Sequence, residues 1–529
     1  MTSLPKPAYI TTPIYYVNDK PHIGHAYTTT LCDVWARAMR FRKRDVFFLT
    51  GTDEHGRKVE KSAQAKGVTP QELADENSAE FRRVLGLFGL TNDHFIRTTH
   101  PAHKRQVQTI VKRLIDSGHV YLGEFEGWYD EGQEEYHTET KAKELDYKSP
   151  ISGRPLLRAK EKNYYFRLSE FQTRLEEHLA KHPEFVRPEG RRNEVLGRLS
   201  GGLQDVPVTR TSFTWGIALP DAPGHVIYVW IDALLNYATA LGLADDEANP
   251  RKKYWPATYH VVGKEILWFH AVIWPAMLMA LGWELPKCIY AHSFWISDGQ
   301  KMSKSLGNFI DLPTIQRYHE AYSLDAWRWY MVTQGPLDAT DADFSAKHFH
   351  ETYTSQLVNT FANCASRTSA MIEKYFDGTL PPRTSEWTTM AGGRPMPDAL
   401  RGFDDAMTAY EEFRLHDAAT AGLGIIRWID LVINEYQPFK MAKSPELMEA
   451  VGSLLHECAQ ALCWAAVALH PIMPTKCEEL LRAFGVSLEQ AFGHFQTDGV
   501  APTQVIPAGT RITKCALFMR VDPLVVTSA

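Results

Sequence analysis

The feature that most constrains the fold is an alternation of short apolar strands with amphipathic helices in the first part of the chain. Residues 8–18 are rich in β-branched and aromatic side chains, which indicates a buried strand running into a loop. A helix follows, in which apolar side chains repeat at helical spacing from Leu31 to Ala38. A second strand is predicted at Val46 to Leu49, and helical patterns continue over residues 57–90 and 101–118. This order predicts an α/β fold with a doubly wound, Rossmann-like parallel sheet.

The alternation is interrupted once and then resumes. From residue 118 to 207 the chain is dense in aromatic and turn-forming residues, which predicts an inserted connective module. Further strands are then predicted at His225 to Trp230, Tyr259 to Val262 and Cys288 to His292. The apolar stretch Ile266 to Trp283 contains a histidine and a proline and lacks basic flanks, so we interpret it as a buried core helix.

The last third of the chain has helical periodicity. It predicts a bundle of four or five helices up to about residue 495, followed by a β-like tail at Thr510 to Leu524. We therefore predict five segments, in which the first and third form one sheet: 1–117, 118–207, 208–298, 299–350 and 351–529.

Composition excludes several classes of protein. With 44% hydrophobic residues and a net charge of -6, the chain is neither disordered nor a cationic coat for nucleic acid, although a local basic groove stays possible. The seven cysteines are scattered and form no C-x-x-C pair, which argues against a disulfide scaffold and against a thiolate zinc knuckle. No signal peptide is visible at the N-terminus, so we expect a cytoplasmic protein.

Two motifs point to phosphate chemistry. The segment Pro21-His22-Ile23-Gly24-His25 lies between a predicted strand and a helix N-terminus, where free N–H groups and imidazoles suit phosphate oxygens. The second segment, Lys301-Met302-Ser303-Lys304-Ser305-Leu306-Gly307-Asn308, is called the lysine loop below. Two lysines three residues apart in a flexible loop can clamp a polyphosphate and release it. Each motif alone also fits an ordinary surface segment.

Together and in this order, the motifs resemble the paired signature of the class I aminoacyl-tRNA synthetases. Three further strings narrow the resemblance to the methionine-specific family, over about residues 8 to 490: Pro188 to Glu194, Arg210 to Gly216, and Tyr228 to Ala233 with Tyr237. The resemblance implies methionine activation with Mg-ATP and transfer to methionine tRNA, initiator and elongator. It assigns catalysis to His22, His25, Lys301 and Lys304.

The resemblance also implies binding sites. Asp53 matches the carboxylate that holds the α-amino group of methionine, and an aromatic slot suits a polarisable thioether. The other positions matching the methionine contacts are Ile14, Tyr16, Trp230, Ala233, Tyr237, Ile266, His270 and Trp274. Those assigned to ATP are His22, Gly24, His25, Gly263, Glu265, His292 and Lys304. Glu265 departs from the family's usual Asp, which puts its contact with the ribose in doubt.

Two further assignments concern zinc and tRNA. Many family members bind zinc through cysteines in the inserted module, but the matching positions here are Asp130, Gln133, Ser149 and Ser152. Serine and glutamine are poor zinc ligands, so we predict no structural zinc. In the bundle, which also holds Asn359, the residues Asn363 and Arg367 match the family's anticodon readers, and Phe439 replaces its usual tryptophan.

Two alternatives stay open. One is another class I synthetase, although the insertion is short for the editing enzymes specific for branched-chain amino acids, and no zinc-bound thiol pocket of the cysteine enzyme is present. The other is a non-catalytic RNA-binding relative, against which the intact His22, His25, Lys301 and Lys304 argue. No further domain follows the tail, so we expect a monomer.

Overall fold

The structure is a computed structural model. It describes residues 7–17, 20–130, 135–137, 139–150, 153–245, 248–297, 299–302, 308–384, 397–494 and 505–524.

A seven-stranded parallel sheet forms the centre of the catalytic domain. Its order is β2-β3-β1-β12-β13-β8, with β4 also pairing with β3. The strands are β1 (Ala8–Thr11), β2 (Tyr15–Tyr16), β3 (Val46–Asp53), β4 (His94–Arg97), β8 (Val186–Arg187), β12 (Tyr259–Gly263) and β13 (Cys288–His292). The predicted α/β fold is confirmed.

Helices cover both faces of this sheet. Ala8 and Ile10 face one apolar core and Tyr9 faces another, as the alternation of side chains along a strand requires. The helices up to the bundle are α1 (Ile23–Phe41), α2 (Arg57–Lys66), α3 (Pro70–Leu87), α4 (Pro101–Asp116), α5 (Glu139–Glu144), α6 (Gln172–Lys181), α7 (Glu189–Leu199), α8 (Val229–Thr239), α9 (Trp274–Leu281), α10 (Leu312–Tyr322) and α11 (Leu324–Gln334).

The inserted module is an antiparallel sheet. Its order is β6-β5-β7-β9, where β5 is Val120–Asp130, β6 is Glu135–His137, β7 is Leu157–Phe166 and β9 is Val206–Pro207. Two smaller sheets flank the catalytic domain: β10 (Thr209–Arg210) with β11 (Val226–Ile227), and β14 (Trp295–Ser297) with β15 (Gln300–Lys301) and β16 (Ala342–Asp343).

The rest of the chain is helical. Its helices are α12 (Ala346–Thr352), α13 (Asn363–Phe376), α14 (Pro397–Glu411), α15 (Leu415–Tyr436), α16 (Pro438–Met441), α17 (Met448–Leu469), α18 (Pro474–Ala483) and α19 (Leu488–His494). A π-helical segment, Tyr353–Ala362, joins α12 to α13. These helices share one apolar core with α1, so the bundle packs directly against the catalytic domain.

Three sequence predictions need correction. The strand predicted at His225 to Trp230 is only Val226–Ile227, and from Val229 the chain is helical. The tail at Thr510 to Leu524 contains no strand in its described part, since its backbone pairs with the bundle at a single bridge, Thr379 with Arg511. The core helix at Ile266 to Trp283 contains a wide π-helical turn, Phe269–Ile273, before α9.

Among the described residues, no helix is both long and apolar enough to cross a membrane.

Candidate active site

The carboxyl ends of four adjacent strands define a crevice. Strand β1 lies between β3 and β12, so the strand order reverses there. In open parallel sheets, ligands bind outside the carboxyl ends of the strands at such a switch point. The strands β3, β12 and β13 end there at Asp53, Gly263 and His292, all three assigned to substrates by the sequence.

His22 and His25 form the cap of α1. The backbone N–H of Gly24 donates to Nδ1 of His22 (3.1 Å), and the backbone N–H of His22 donates to Nδ1 of His25 (3.2 Å). A backbone N–H can only donate, so both Nδ1 atoms are acceptors and the neutral rings carry their hydrogen on Nε2. Each histidine therefore presents a neutral Nε2–H donor at a helix N-terminus.

The neighbours of His25 keep it neutral. Its ring packs edge-on against Tyr15 (4.7 Å) and Phe81 (5.1 Å), measured between ring centroids. Burial, with His22 adjacent, holds the pKa of His25 well below its ordinary value. The ring is thus a hydrogen-bond donor and not a fixed cation near neutral pH.

The structure brings the flank of the lysine loop to this cap. Phe309 packs edge-on against His22 (5.2 Å between centroids), and the backbone N–H of Ile23 donates to the carbonyl of Ile310 (3.2 Å). On the other flank, Lys301 pairs with Ile296 at the end of β15. Lys304 lies outside the described residues, but Phe309, which follows its loop, lies beside the cap.

One face of α8 lines the predicted methionine pocket. Trp230, Ala233 and Tyr237 are spaced i, i+3 and i+7, so they share a face of the helix. Trp230 stacks on Phe269 with 4.0 Å between ring centroids. The sequence predicts a strand that ends at Trp230, so this shared helix face is not predicted, although the spacing of the three residues is visible in the sequence.

A chain of hydrogen bonds fixes the floor of the pocket. His270 Nδ1–H donates to the carbonyl of Ile266 (2.9 Å), so its Nε2 accepts from the hydroxyl of Tyr237 (2.8 Å). Trp274 lies one turn of helix after His270, and its indole N–H donates to Nε2 of His260 (3.3 Å). Burial lowers the pKa of His270 to about 4, so this histidine is neutral at physiological pH.

The remaining methionine candidates lie against the same apolar core or at the end of β3. Ile14, Tyr16 and Ile266 are partly buried and pack against the core that contains Tyr237. Asp53 is nearly buried and lies beside Tyr16 in the register of β3 and β2. The structure therefore gathers the nine methionine candidates around one end of the sheet.

The residues assigned to ATP differ in how the protein engages their side chains. Gly263 and His292 are neighbours in the sheet register, and a Cβ at Gly263 would lie 2.3 Å from Oε2 of Glu265, so this carboxylate folds over the glycine. His292, however, donates from Nδ1 to the carbonyl of Ser293 (2.8 Å) and contacts Thr28 through Nε2 (2.7 Å). Both ring nitrogens are engaged by the protein, so His292 ties α1 to β13 and leaves no nitrogen for a nucleotide.

Two of the four zinc-position residues lie in the described part of the chain. Asp130 and Ser149 are buried, and the Ser149 N–H donates to the carbonyl of Arg154 (2.7 Å). Gln133 and Ser152 lie outside the described residues. In the described part of the chain, no group of three or more His, Cys, Asp or Glu side chains is placed to hold a metal ion.

The anticodon candidates lie at one end of α13 and α15. Asn363 is exposed and Arg367, one turn later, donates to Asn434 (3.3 Å) and pairs with Asp430 (3.5 Å) on α15. Phe439 follows α15 directly and is 43% exposed. An exposed phenylalanine beside polar side chains is suited to stacking a nucleobase. Asn359, on the π-helical segment, is exposed and faces Arg520 (3.5 Å).

The flank of the lysine loop beside the histidine cap, at the switch point of a parallel sheet, fits the class I aminoacyl-tRNA synthetases. The family model described as "tRNA synthetases class I (M)" matches residues 8–145 and 141–369. The chain therefore belongs to this family.

Similar proteins of known name agree. The chain is 40% identical to a methionine–tRNA ligase of Halalkalibacterium halodurans over 537 aligned residues, covering 99% of this chain and 79% of that protein. It is also 40% identical to a methionine–tRNA ligase of Thermotoga maritima, covering 97% and 80%. A solved structure of Mycobacterium tuberculosis methionyl-tRNA synthetase in complex with methionyl-adenylate superposes with a TM-score of 0.89 at 34% identity, covering 98% of this chain and 100% of that one.

Proposed function

We propose that the chain activates L-methionine with ATP and transfers it to the 3′ end of methionine tRNA, both initiator and elongator. The observation that carries the proposal is the meeting of the lysine-loop flank with the cap of α1, shown by the contact of Phe309 with His22. The names of the similar proteins support the choice of methionine.

In the first step, a carboxylate oxygen of methionine attacks the α-phosphorus of ATP. The bond between the α-phosphorus and its bridging oxygen breaks, and pyrophosphate leaves with the magnesium ion that entered with ATP. His22 and His25 donate from Nε2 to the phosphoryl oxygens, and Lys301 and Lys304 neutralise the departing charge. Such preorganised donors stabilise the transition state without a proton transfer.

The pocket selects the amino acid. Asp53 accepts hydrogen bonds from the α-ammonium group, and the face of α8 with His270 and Trp274 encloses the thioether. The hydrogen bond to His270 holds the hydroxyl of Tyr237 in place, and aromatic rings favour the polarisable sulfur of a thioether. Gly263 and Glu265 hold the ribose, and Gly24 leaves room for the nucleotide beside the cap.

In the second step, a ribose hydroxyl at the 3′ end of the tRNA attacks the carbonyl carbon of methionyl-adenylate, and AMP leaves. Asn363, Arg367 and Phe439 bind the anticodon. This reaction supplies protein synthesis, so we place the chain in the cytoplasm. A non-catalytic relative would not need the two neutral Nε2–H donors at the cap.

The charging of tRNA is tested with Phe439→Ala. Loss of base stacking costs about 1–3 kcal/mol, so kcat/KM for tRNA in methionylation should fall roughly 5- to 150-fold. Methionine-dependent ATP–pyrophosphate exchange without tRNA should be unchanged, as in the control Val68→Ala, which also truncates an exposed apolar side chain. No methionylation by the native chain would refute the function, and equal charging by both variants would refute the role of Phe439.

A further inference from the structure

Behind the predicted methionine pocket lies a buried cluster that the assignments above do not use. Asp232 of α8 is fully buried and contacts two histidines: its Oδ2 is 2.6 Å from Nδ1 of His55, and its Oδ1 is 2.6 Å from Nε2 of His103. His55 follows β3 by two residues, and His103 belongs to α4. The carboxylate therefore joins three elements.

The hydrogen positions follow from the chemistry. An ionised carboxylate only accepts, so both facing ring nitrogens donate. His103 uses its other nitrogen, Nδ1, toward the hydroxyl of Thr239 (2.7 Å), and Gln106 donates to the Thr239 carbonyl (3.0 Å). Helix α4 thus holds α8 at Asp232 and again two turns later.

The carboxyl of Asp232 is ionised. Burial alone would raise its pKa, but His55 and His103 outweigh burial and lower the pKa to about 2. A buried charge is costly unless it is paired and hydrogen-bonded, and here both oxygens are.

The cluster lies on the opposite side of α8 from the pocket. At about 100° per residue, Asp232 and Thr239 are roughly 180° around the helix from Trp230 and Tyr237. The other end of the cluster, His55, comes two residues after Asp53 and packs edge-on against Trp215 (5.4 Å). The cluster connects the wall that encloses the thioether to the strand end that carries the ammonium-binding carboxylate.

We infer that His55, Asp232 and His103 are positioning residues, which set the distance between Asp53 and the α8 wall and so determine the affinity for methionine. The inference rests on the proposed function. If the cluster served only folding, its loss would change KM for methionine and KM for ATP alike. If it positions the pocket, its loss should change mainly KM for methionine.

The experiment compares His103→Ala with His103→Gln in ATP–pyrophosphate exchange. The glutamine amide can donate to Asp232 and its carbonyl can accept from Thr239, so it keeps both contacts. For His103→Ala we expect KM for methionine to rise about tenfold or more, with KM for ATP and kcat changed less than about threefold, since small displacements cost affinity. His103→Gln should restore most of the loss.

The controls separate folding from positioning. His456→Ala removes an equally buried histidine, bonded to the carbonyl of Pro381 in the bundle, and should leave KM for methionine unchanged. If His103→Ala does not fold, Thr239→Val, which removes one contact of His103, should still raise KM for methionine and not that for ATP. Equal rises in both KM values, no rise in a folded variant, or no rescue by glutamine would overturn the inference. Absence of exchange by the native chain would instead refute the proposed function.

Discussion

At the residue scale, the candidate active site contains histidines that stay neutral. Burial lowers the pKa of His270 and of His292 to about 4, and in each case the Nδ1–H donates to a backbone carbonyl. Their types were visible in the sequence, but their hydrogen positions were not, because these depend on the folded geometry around each ring. His292 is the example: its Nε2 contacts Thr28, which is 264 residues away in the sequence.

These histidines make stability depend on pH. Between their unfolded pKa of about 6.5 and their folded pKa of about 4, the unfolded chain binds protons that the folded chain does not. The free energy of unfolding should therefore fall as pH falls through this window, by up to about 1.4 kcal/mol per pH unit for each histidine. Urea midpoints at pH 7.5, 6 and 5 measure this decrease. His270→Gln should show a shallower decrease, and an unchanged midpoint at pH 5 would contradict the account.

At the element scale, helix α8 is an element whose type the sequence pattern does not predict. The sequence predicts a strand at His225 to Trp230 because β-branched and aromatic residues favour strands. In the folded chain tertiary packing favours a helix, which begins at Val229. The strands β12 and β13 were predicted close to their true bounds, since each is a short run buried on both faces, whereas β1 occupies only Ala8–Thr11 of the predicted residues 8–18. The spacing of Trp230, Ala233 and Tyr237 was visible in the sequence, but the helix face that they share was not predicted, and their role in binding methionine stays a prediction.

The inserted module should fold without zinc. Strands β5 and β7 form a long antiparallel ladder from Val120 to Tyr129. The turn at Ser149 is closed by backbone hydrogen bonds with Arg154 and Gly153. These contacts need no metal, and oxygen donors such as Ser149 hold zinc poorly. Dialysis against EDTA should leave both the melting temperature and methionine-dependent exchange unchanged. One equivalent of zinc per purified chain, with a lower melting temperature after its removal, would contradict this.

At the scale of the whole molecule, one buried ion pair joins the catalytic domain to the bundle. Arg328 of α11 lies 2.8 Å from Asp33 of α1 and donates to the carbonyls of Pro471 and Ile472, just before α18. Burial alone would raise the pKa of Asp33, but Arg328 and Arg37 keep it below its ordinary value. No local pattern in the sequence predicts this junction, because its members are hundreds of residues apart.

Removing one partner of this pair should be costly. Arg328→Met removes one charged donor from the buried Asp33 carboxylate, which keeps Arg37 and Thr91, and breaking a buried pair in this way costs up to about 3–5 kcal/mol. The control is Arg83→Met, whose exposed pair with Glu80 should contribute at most about 1 kcal/mol. Urea unfolding measures both variants. Equal midpoints for the two would show that the junction does not stabilise the molecule.

The central claim is that this chain activates methionine, and ATP–pyrophosphate exchange tested across the amino acids measures it most directly. The account predicts exchange that depends on methionine and is far slower with leucine, isoleucine, valine or cysteine. Exchange that depends on leucine or isoleucine, or no exchange with any amino acid, would contradict it.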